Sequence, residues 1–304
     1  MNIVFMGSPD FAIPSLEAIH NSWHTIKAVV SNVDKRRGRG SETAPTPVKA
    51  KALELGLPVI EVEDLKSPEF AGKLKELEAD LFVVVAFRIL PKQVLEIPRI
   101  GSVNLHASLL PKYRGAAPIH WAVMNGEVKT GCTIFFLDEK VDTGKIILQK
   151  ETPIDDNETT GEVYSRLMEH GSEVLLEAIN QIASGSYKSI EQNDTEATPA
   201  PKLFREDCHI DFNQSAETVH NKIRGLSPFP TAWATLNGEK FNMYRSKLGA
   251  YANIDPGELL VKDGKLLAGC ADGTVELLEI QLPGKRKMYT DTFLKGNSIE
   301  GILE

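Results

Sequence analysis

Hydrophobic and polar positions follow two different textures along the chain. Over about the first 190 residues, short apolar runs alternate with stretches of helical spacing. Asn2–Met6, Ile26–Val30, Val59–Val62, Leu81–Phe87 and Val103–Ala107 read as strands, and Asp10–His20, Pro47–Leu55 and Pro68–Leu77 as helices. Leu81–Phe87 (LFVVVAF) is apolar on both faces, as a central parallel strand covered on each side must be. The alternation predicts an α/β fold built on a doubly wound, mainly parallel sheet. Cys132–Leu137 and Lys145–Lys150 add two strands. Thr160–Ala183 then forms an amphipathic helix with Val163, Leu167, Val174, Leu175 and Ile179 on one stripe.

Glu191–Pro201 (EQNDTEATPAP) is polar, has no periodicity and carries prolines, which is linker composition. Beyond it, Asn237-Gly238, Asp263-Gly264 and Asp272-Gly273 sit between alternating apolar runs. Such pairs favour tight hairpins because both residues tolerate φ > 0. Glu258–Val261, Lys265–Ala268 and Thr274–Ile280 read as consecutive strands after one helix, Ala216–Arg224. This predicts a domain at 1–190, a linker at 191–204, and a small antiparallel barrel at 205–304.

A length of 304 residues agrees with two domains, and ordinary hydrophobic content allows each a core. The sequence has no apolar run of membrane-spanning length and no basic leader before its first strand, so no membrane is expected and the cytoplasm is the expected compartment. Cys132, Cys208 and Cys270 are isolated from one another, which suggests neither disulfides nor a metal site, only buried thiols. Net charge is −8, so a nucleic-acid partner would have to be held by local basic patches.

Met6-Gly7-Ser8-Pro9-Asp10-Phe11 follows the first strand, where α/β folds place phosphate loops, yet it has one glycine where a dinucleotide fingerprint needs three. A tight turn with a Ser/Asp cap explains it as well. The informative stretch is Val103–Gly115 (VNLHASLLPKYRG). Asn104 and His106, two apart on a strand, share a face near its carboxyl end, where such sheets place ligand and catalytic groups. A histidine on a strand is equally a satisfied core residue. Asp142 in Val141-Asp142-Thr143-Gly144 lies in a turn between strands, where it also serves as a turn cap. Taken together, the three suit acyl transfer to an amine: histidine to move protons, aspartate to orient it and balance its charge, asparagine to donate to a developing oxyanion.

The order N-x-H-x-S-L-L-P-x-Y-R-G (104–115), A-A-P-I-H-W (116–121), T-G-C-T-I (130–134) and V-D-T-G (141–144) closely resembles the folate-dependent formyltransferases. The likeness extends to G-S-P-D-F-A (7–12), V-V-V-A-F (83–87), L-P-K (90–92), A-P-K-L (200–203), I-R-G-L-S-P-F-P (223–230) and G-K-R-K-M (284–288). It implies a Rossmann-like catalytic domain followed by an OB-like barrel, with Asn104, His106 and Asp142 as the catalytic group. It also implies 10-formyltetrahydrofolate as co-substrate, no metal, and the methionyl α-amino group of initiator methionyl-tRNA as acceptor, with the protein acting as a monomer. Folate is then to be held by Phe87, Arg88, Ile89 and Leu90, by Ser108, Leu109, Leu110 and Pro111, and by Asp138, Glu139, Val141 and Thr143. Phe87-Arg88-Ile89-Leu90 departs from the Tyr-Gly of many relatives and looks more like the glycinamide ribonucleotide enzymes, which leaves the role of Arg88 open.

Between Asn32 and Lys49 the chain holds five Lys/Arg against two Asp/Glu, in a connection longer than α/β units usually need. Guanidinium groups suit phosphates and base edges. In the family this insertion enters the acceptor stem, which nominates Lys35, Arg36, Arg37 and above all Arg39 for tRNA. A solvated charged loop is the bland alternative. Lys285, Arg286 and Lys287 form a compact cluster suited to phosphate in a second domain that is not basic overall. An amino-sugar nucleotide acceptor, or an RNA-binding module without a reaction, are the competing functions.

Overall fold

The computed structural model of the protein describes residues 1–36, 43–251 and 254–304, which fall into two compact units. The first comprises Met1–Gly115, Gly131–Thr152 and Ser165–Pro199; the second comprises Ala116–Thr130, Pro153–Tyr164 and Ala200–Glu304.

In chain order the first part runs β1 (Asn2–Gly7), α1 (Ile13–His20), β2 (Thr25–Asn32), the two-residue strands β3 (Lys35–Arg36) and β4 (Thr43–Ala44), α2 (Pro47–Glu54), β5 (Val59–Val62), α3 (Pro68–Glu76), β6 (Leu81–Val85), α4 (Lys92–Leu95) and β7 (Gly101–His106). Then follow β8 (Arg114–Gly115), α5 (Pro118–Met124), β9 (Lys129–Phe136), β10 (Ile146–Pro153), α6 (Thr160–Ser184) and β11 (Pro199–Ala200). Two of these helices start where the sequence supplies a cap: Thr46 accepts from the Lys49 amide and Ser67 from the Phe70 amide, each just ahead of a proline whose missing N–H costs nothing there.

The main sheet has the order β10-β9-β7-β6-β1-β2-β5. β5, β2, β1, β6 and β7 are mutually parallel, and β9 runs antiparallel to β7. Every residue of β6 is buried, as its two-sided apolar pattern requires. Phe5, Phe82 and Phe135 are fully buried in this sheet, each worth about 1.5–3 kcal/mol relative to exposure. From β1 the chain winds outward to β2 and β5 and then returns to β6 and β7 on the other side, so the carboxyl ends of β1 and β6, next to β7, are where such a sheet leaves a crevice.

The second unit carries α7 (Ala216–Gly225), β12 (Ala232–Leu236), β13 (Glu239–Leu248), β14 (Leu259–Lys262), β15 (Lys265–Gly269), β16 (Thr274–Gln281), β17 (Met288–Tyr289) and α8 (Thr290–Leu294). Its sheet is antiparallel in the order β12-β13-β16-β15-β14, with β17 added beside β16. The last residues join its two edges. Leu303 bridges Leu236 at the end of β12, and Ile302 bridges Glu258 just before β14, which closes the sheet into a barrel. Asn237-Gly238 and Asp263-Gly264 all have positive φ, as tight hairpins require. Phe241, Met243, Leu266 and Leu277 are among the fully buried residues of this unit's core. No helix among the described residues is long and apolar enough to cross a membrane.

Candidate functional site

β7 is held between β6 and β9, with Asn104 opposite Val84 on one side and Phe135 on the other. This fixes Asn104 and His106 on one face. His106 is buried, and its Nε2 lies 2.8 Å from the Tyr113 carbonyl oxygen. A carbonyl only accepts, so Nε2 carries a proton and donates; in the neutral ring Nδ1 is then the free base. Nδ1 faces Asp142 Oδ2 across 3.7 Å, too far for a direct hydrogen bond and close enough for charge to matter. The expected division of labour is therefore split: the Tyr113 carbonyl orients the ring, and the carboxylate sits opposite the nitrogen able to take a proton.

Tyr113 can do this because its loop is clamped. Thr133 Oγ donates to the Ser108 carbonyl (2.6 Å) and accepts from the Leu110 amide (3.1 Å). Gln149 Nε2 donates to the Leu110 carbonyl (2.8 Å), the Ser108 hydroxyl to the Lys112 carbonyl (2.7 Å), and the Tyr113 amide to Thr198 Oγ (2.9 Å). The tight path needs Tyr113 at φ 62. Asp142 is likewise left-handed, at φ 55, and its Oδ2 accepts from the Gly115 amide at 2.8 Å. The carboxylate caps the 108–115 loop rather than its own turn.

A cleft opens beside these groups, lined by Asn104, Asp142, Phe87–Leu90, Asp138 and Val141, together with Val84, Leu95, Leu137 and Lys140. The Asn104 carboxamide reaches it from the strand. Arg88 turns away from the slot's centre: Nη1 donates to the Glu63 carbonyl and Nη2 to the Val62 carbonyl, each at 2.7 Å, tying residues 87–90 to the end of β5. Burial depresses its guanidinium below the usual arginine range. Its Nε is buried without an acceptor among the described residues.

The expected folate contacts thus separate. Phe87, Arg88, Ile89, Leu90, Asp138 and Val141 line the cleft. Ser108, Leu109, Leu110 and Pro111 do not; Ser108 is fully buried, and Leu110 packs with Phe135 and Ile146, so this loop builds the site from behind. Thr143 also stands back, its hydroxyl donating to Asp138 at 2.7 Å and holding the 138–143 turn, and Glu139 points to Lys92 in an ion pair. Sequence reasoning missed Tyr113, whose contribution is a backbone carbonyl, and Gln192, whose Nε2 donates to the Asp142 and Gly144 carbonyls.

For the basic loop, β3 and β4 pair antiparallel, Lys35 with Ala44 and Arg36 with Thr43, while Arg37 and Arg39 lie outside the described residues. In the second unit Lys285 and Arg286 are exposed, and Lys287 pairs with Glu279 at 3.1 Å and sits over the Tyr244 ring. A groove not foreseen from sequence lies entirely within that unit. Phe204 (59% exposed) and Phe229 (77% exposed) flank Trp233, with Lys202 over the Phe204 ring and Arg205 and Lys240 each 5.6 Å from the Trp233 centroid. None of these three cations pairs with a carboxylate among the described residues. Aromatic faces interleaved with free cations suit unpaired nucleotides. The run Lys202-Leu203-Phe204-Arg205 was the available signal.

A family model described as formyl transferase matches residues 1–179, and one described as formyl transferase, C-terminal domain, matches residues 202–298. The methionyl-tRNA formyltransferase of Chlorobium phaeovibrioides is 47% identical, covering 100% of this chain and 98% of its own. That of Clostridioides difficile is 42% identical, covering 99% and 98%. Among solved structures, an N-formyltransferase from Helicobacter canadensis in complex with folinic acid and dTDP-3-aminofucose superposes with a TM-score of 0.70 at 23% identity, over 90% of this chain and 98% of that one.

Proposed function

The chain belongs to the formyl transferase family, and we propose that it moves the formyl group of 10-formyltetrahydrofolate to the methionyl α-amino group of initiator tRNA. The acceptor rests on relatives of that name matching end to end. One observation carries the chemistry: a buried histidine with one nitrogen committed to the Tyr113 carbonyl and the other facing a carboxylate, beside a free carboxamide in a cleft.

In this reading the pterin enters the slot of Phe87–Leu90, Asp138 and Val141, where backbone groups meet its polar edge. The amine attacks the formyl carbon directly. As the C–N bond forms, the carbonyl electrons move onto oxygen, and the Asn104 NH₂ donates to that oxyanion. His106 Nδ1 takes the proton the amine sheds, and Asp142 balances the imidazolium. Collapse of the tetrahedral intermediate breaks the bond to N10, which receives the proton. Residues 1–190 then do the chemistry and the barrel of 205–304 positions RNA, through the Phe204–Trp233 groove and Lys285–Arg286, while Lys35, Arg36, Arg37 and Arg39 engage the acceptor end.

The test is incubation with 10-formyltetrahydrofolate and either methionyl-tRNA or amino-sugar nucleotides, with mass analysis of the acceptor. Formyl-methionyl-tRNA alone is expected. Formylation of the sugar nucleotide without the tRNA rejects the acceptor but keeps the chemistry; full activity in Asn104→Ala and His106→Ala rejects the chemistry.

A further inference from the structure

Asp142 holds its carboxylate opposite His106 from a backbone conformation that few L-residues adopt, although aspartate is among those that do. At φ 55 it sits in the left-handed region, disfavoured by about 1–2 kcal/mol for residues other than glycine. Such a conformation persists only where its surroundings over-determine it. Gln192 supplies part of that constraint. Its Nε2 donates to the Asp142 carbonyl at 2.9 Å and to the Gly144 carbonyl at 2.8 Å, spending both N–H groups on the two sides of the turn.

Arg114 fixes which way Gln192 points. Arg114 Nε and Nη2 lie 3.1 and 2.7 Å from Gln192 Oε1, and a guanidinium only donates, so the oxygen of the amide must face Arg114 and its NH₂ the two carbonyls. Nη2 also donates to Asp194 at 2.8 Å, which pins the arginine to the same segment. Six residues after Gln192, Thr198 accepts from the Tyr113 amide through its hydroxyl and from the Arg114 amide through its carbonyl. Tyr113 in turn holds His106. One stretch of polar chain, 192–198, therefore secures both members of the His106–Asp142 pair, Asp142 through Gln192 and His106 through Thr198 and Tyr113.

We propose that Gln192, oriented by Arg114, is a positioning residue for formyl transfer that sets Asp142 opposite His106 Nδ1. The proposal rests on Asp142 being catalytic, so its test includes that residue. Gln192→Glu keeps size and the Arg114 partner but removes the donor; Gln192→Ala removes the side chain without adding charge. Both are measured for kcat, for KM toward each substrate and for melting temperature, alone and combined with Asp142→Asn. Displacement of a catalytic group by about 1 Å costs up to about a hundredfold. The expected result is a fall in kcat of about 10- to 100-fold with KM within about twofold, and less than about threefold further loss when Asp142→Asn is already present. Arg114→Lys, which keeps the charge but not the paired hold, gives a smaller fall of the same kind and serves where a Gln192 variant does not fold.

Three results overturn the proposal, each distinguishable. Native kcat in both Gln192 variants while Asp142→Asn is impaired shows that Asp142 needs no such brace. Losses that multiply with that of Asp142→Asn show that Gln192 acts elsewhere, as a merely structural residue would. Native kcat in Asp142→Asn removes the catalytic reading of Asp142, and the positioning role with it.

Discussion

Asp142→Asn isolates charge from geometry. Oδ2 of Asp142 accepts from the Gly115 amide at 2.8 Å, and an asparagine carbonyl oxygen accepts the same bond. Asparagine also tolerates the left-handed backbone at φ 55 at least as well as aspartate does. The loop therefore stays and the charge goes. Both partners are largely buried, with side-chain exposures of 6% for His106 and 12% for Asp142. Across 3.7 Å, a unit charge on each interacts by about 4.5 kcal/mol at an effective dielectric constant near 20. That sets a ceiling of roughly three decades in rate. The imidazolium is only partly formed at the transition state and the asparagine dipole recovers part of the field, so the expected fall in kcat is about 10²–10³-fold. The assay is steady-state formyl transfer at saturating methionyl-tRNA and 10-formyltetrahydrofolate, followed by tetrahydrofolate release, with single-turnover rates to exclude a change in product release. KM for both substrates should stay within about twofold, since the missing interaction belongs to the transition state. A kcat within about threefold of the native value would refute the charge-balancing role, and an equal rise in both KM values would show instead that the cleft had been rebuilt.

Further expectations concern the frame and the RNA. A Cβ on Gly144 would fall inside the Phe136 carbonyl oxygen, so Gly144→Ala must shift the end of β9 or the Asp142 turn; a stability loss of about 1–3 kcal/mol and a kcat fall approaching a hundredfold are expected, checked by melting and turnover. His220 is buried, between Ser246 Oγ and the Asp156 carbonyl at 2.9 Å each, and burial lowers its pKa from 6.5. Below about pH 6.5 the unfolded chain binds the proton that the folded one resists, so this contribution is complete above that pH and is lost as pH falls; His220→Gln should flatten the acid side of the stability–pH curve in denaturant titrations. Phe204→Ala should raise KM for methionyl-tRNA about tenfold and leave the folate KM unchanged, since a base stacked on an aromatic ring is worth about 1–3 kcal/mol.

Which of these features the sequence reveals depends on how far apart the interacting residues lie. The strand β6 was legible because five consecutive buried positions leave a continuous apolar run. Two hairpins of the barrel were legible because Asn237-Gly238 and Asp263-Gly264 encode their φ angles locally. The segment that closes the expected barrel was not, since residues 301–304 show no periodicity and their partners lie near positions 236 and 258. Glu191–Pro201 read as linker because polar residues without period look alike whether they face water or another segment; Gln192 serves carbonyls 48 and 50 residues away. The S-L-L-P motif read as substrate contact because its place beside His106 does not reveal its direction; Ser108 and Leu110 are buried, while Leu109 and Pro111 are half-buried.

That burial also bears on the choice between direct attack and a covalent acyl-enzyme. A covalent route needs a nucleophile near His106 that can lose its proton. Ser108, two residues along, is fully buried, and its hydroxyl donates to the Lys112 carbonyl. Thr133, paired with His106 across the strands, spends its hydroxyl on the Ser108 carbonyl. Cys132 has no exposed surface, and burial pushes its thiol up to about 12, far from any useful thiolate fraction near neutrality. Each of these three side chains is hydrogen-bonded into the frame or kept protonated. Beside the cleft His106 supplies a base and Asn104 a carboxamide donor, and in the proposed reaction that base acts on the proton of the incoming amine. In the proposed reaction the attacking group is the acceptor's own amine, and the enzyme's part is to place it, to collect its proton, and to hold the oxyanion for the lifetime of the intermediate.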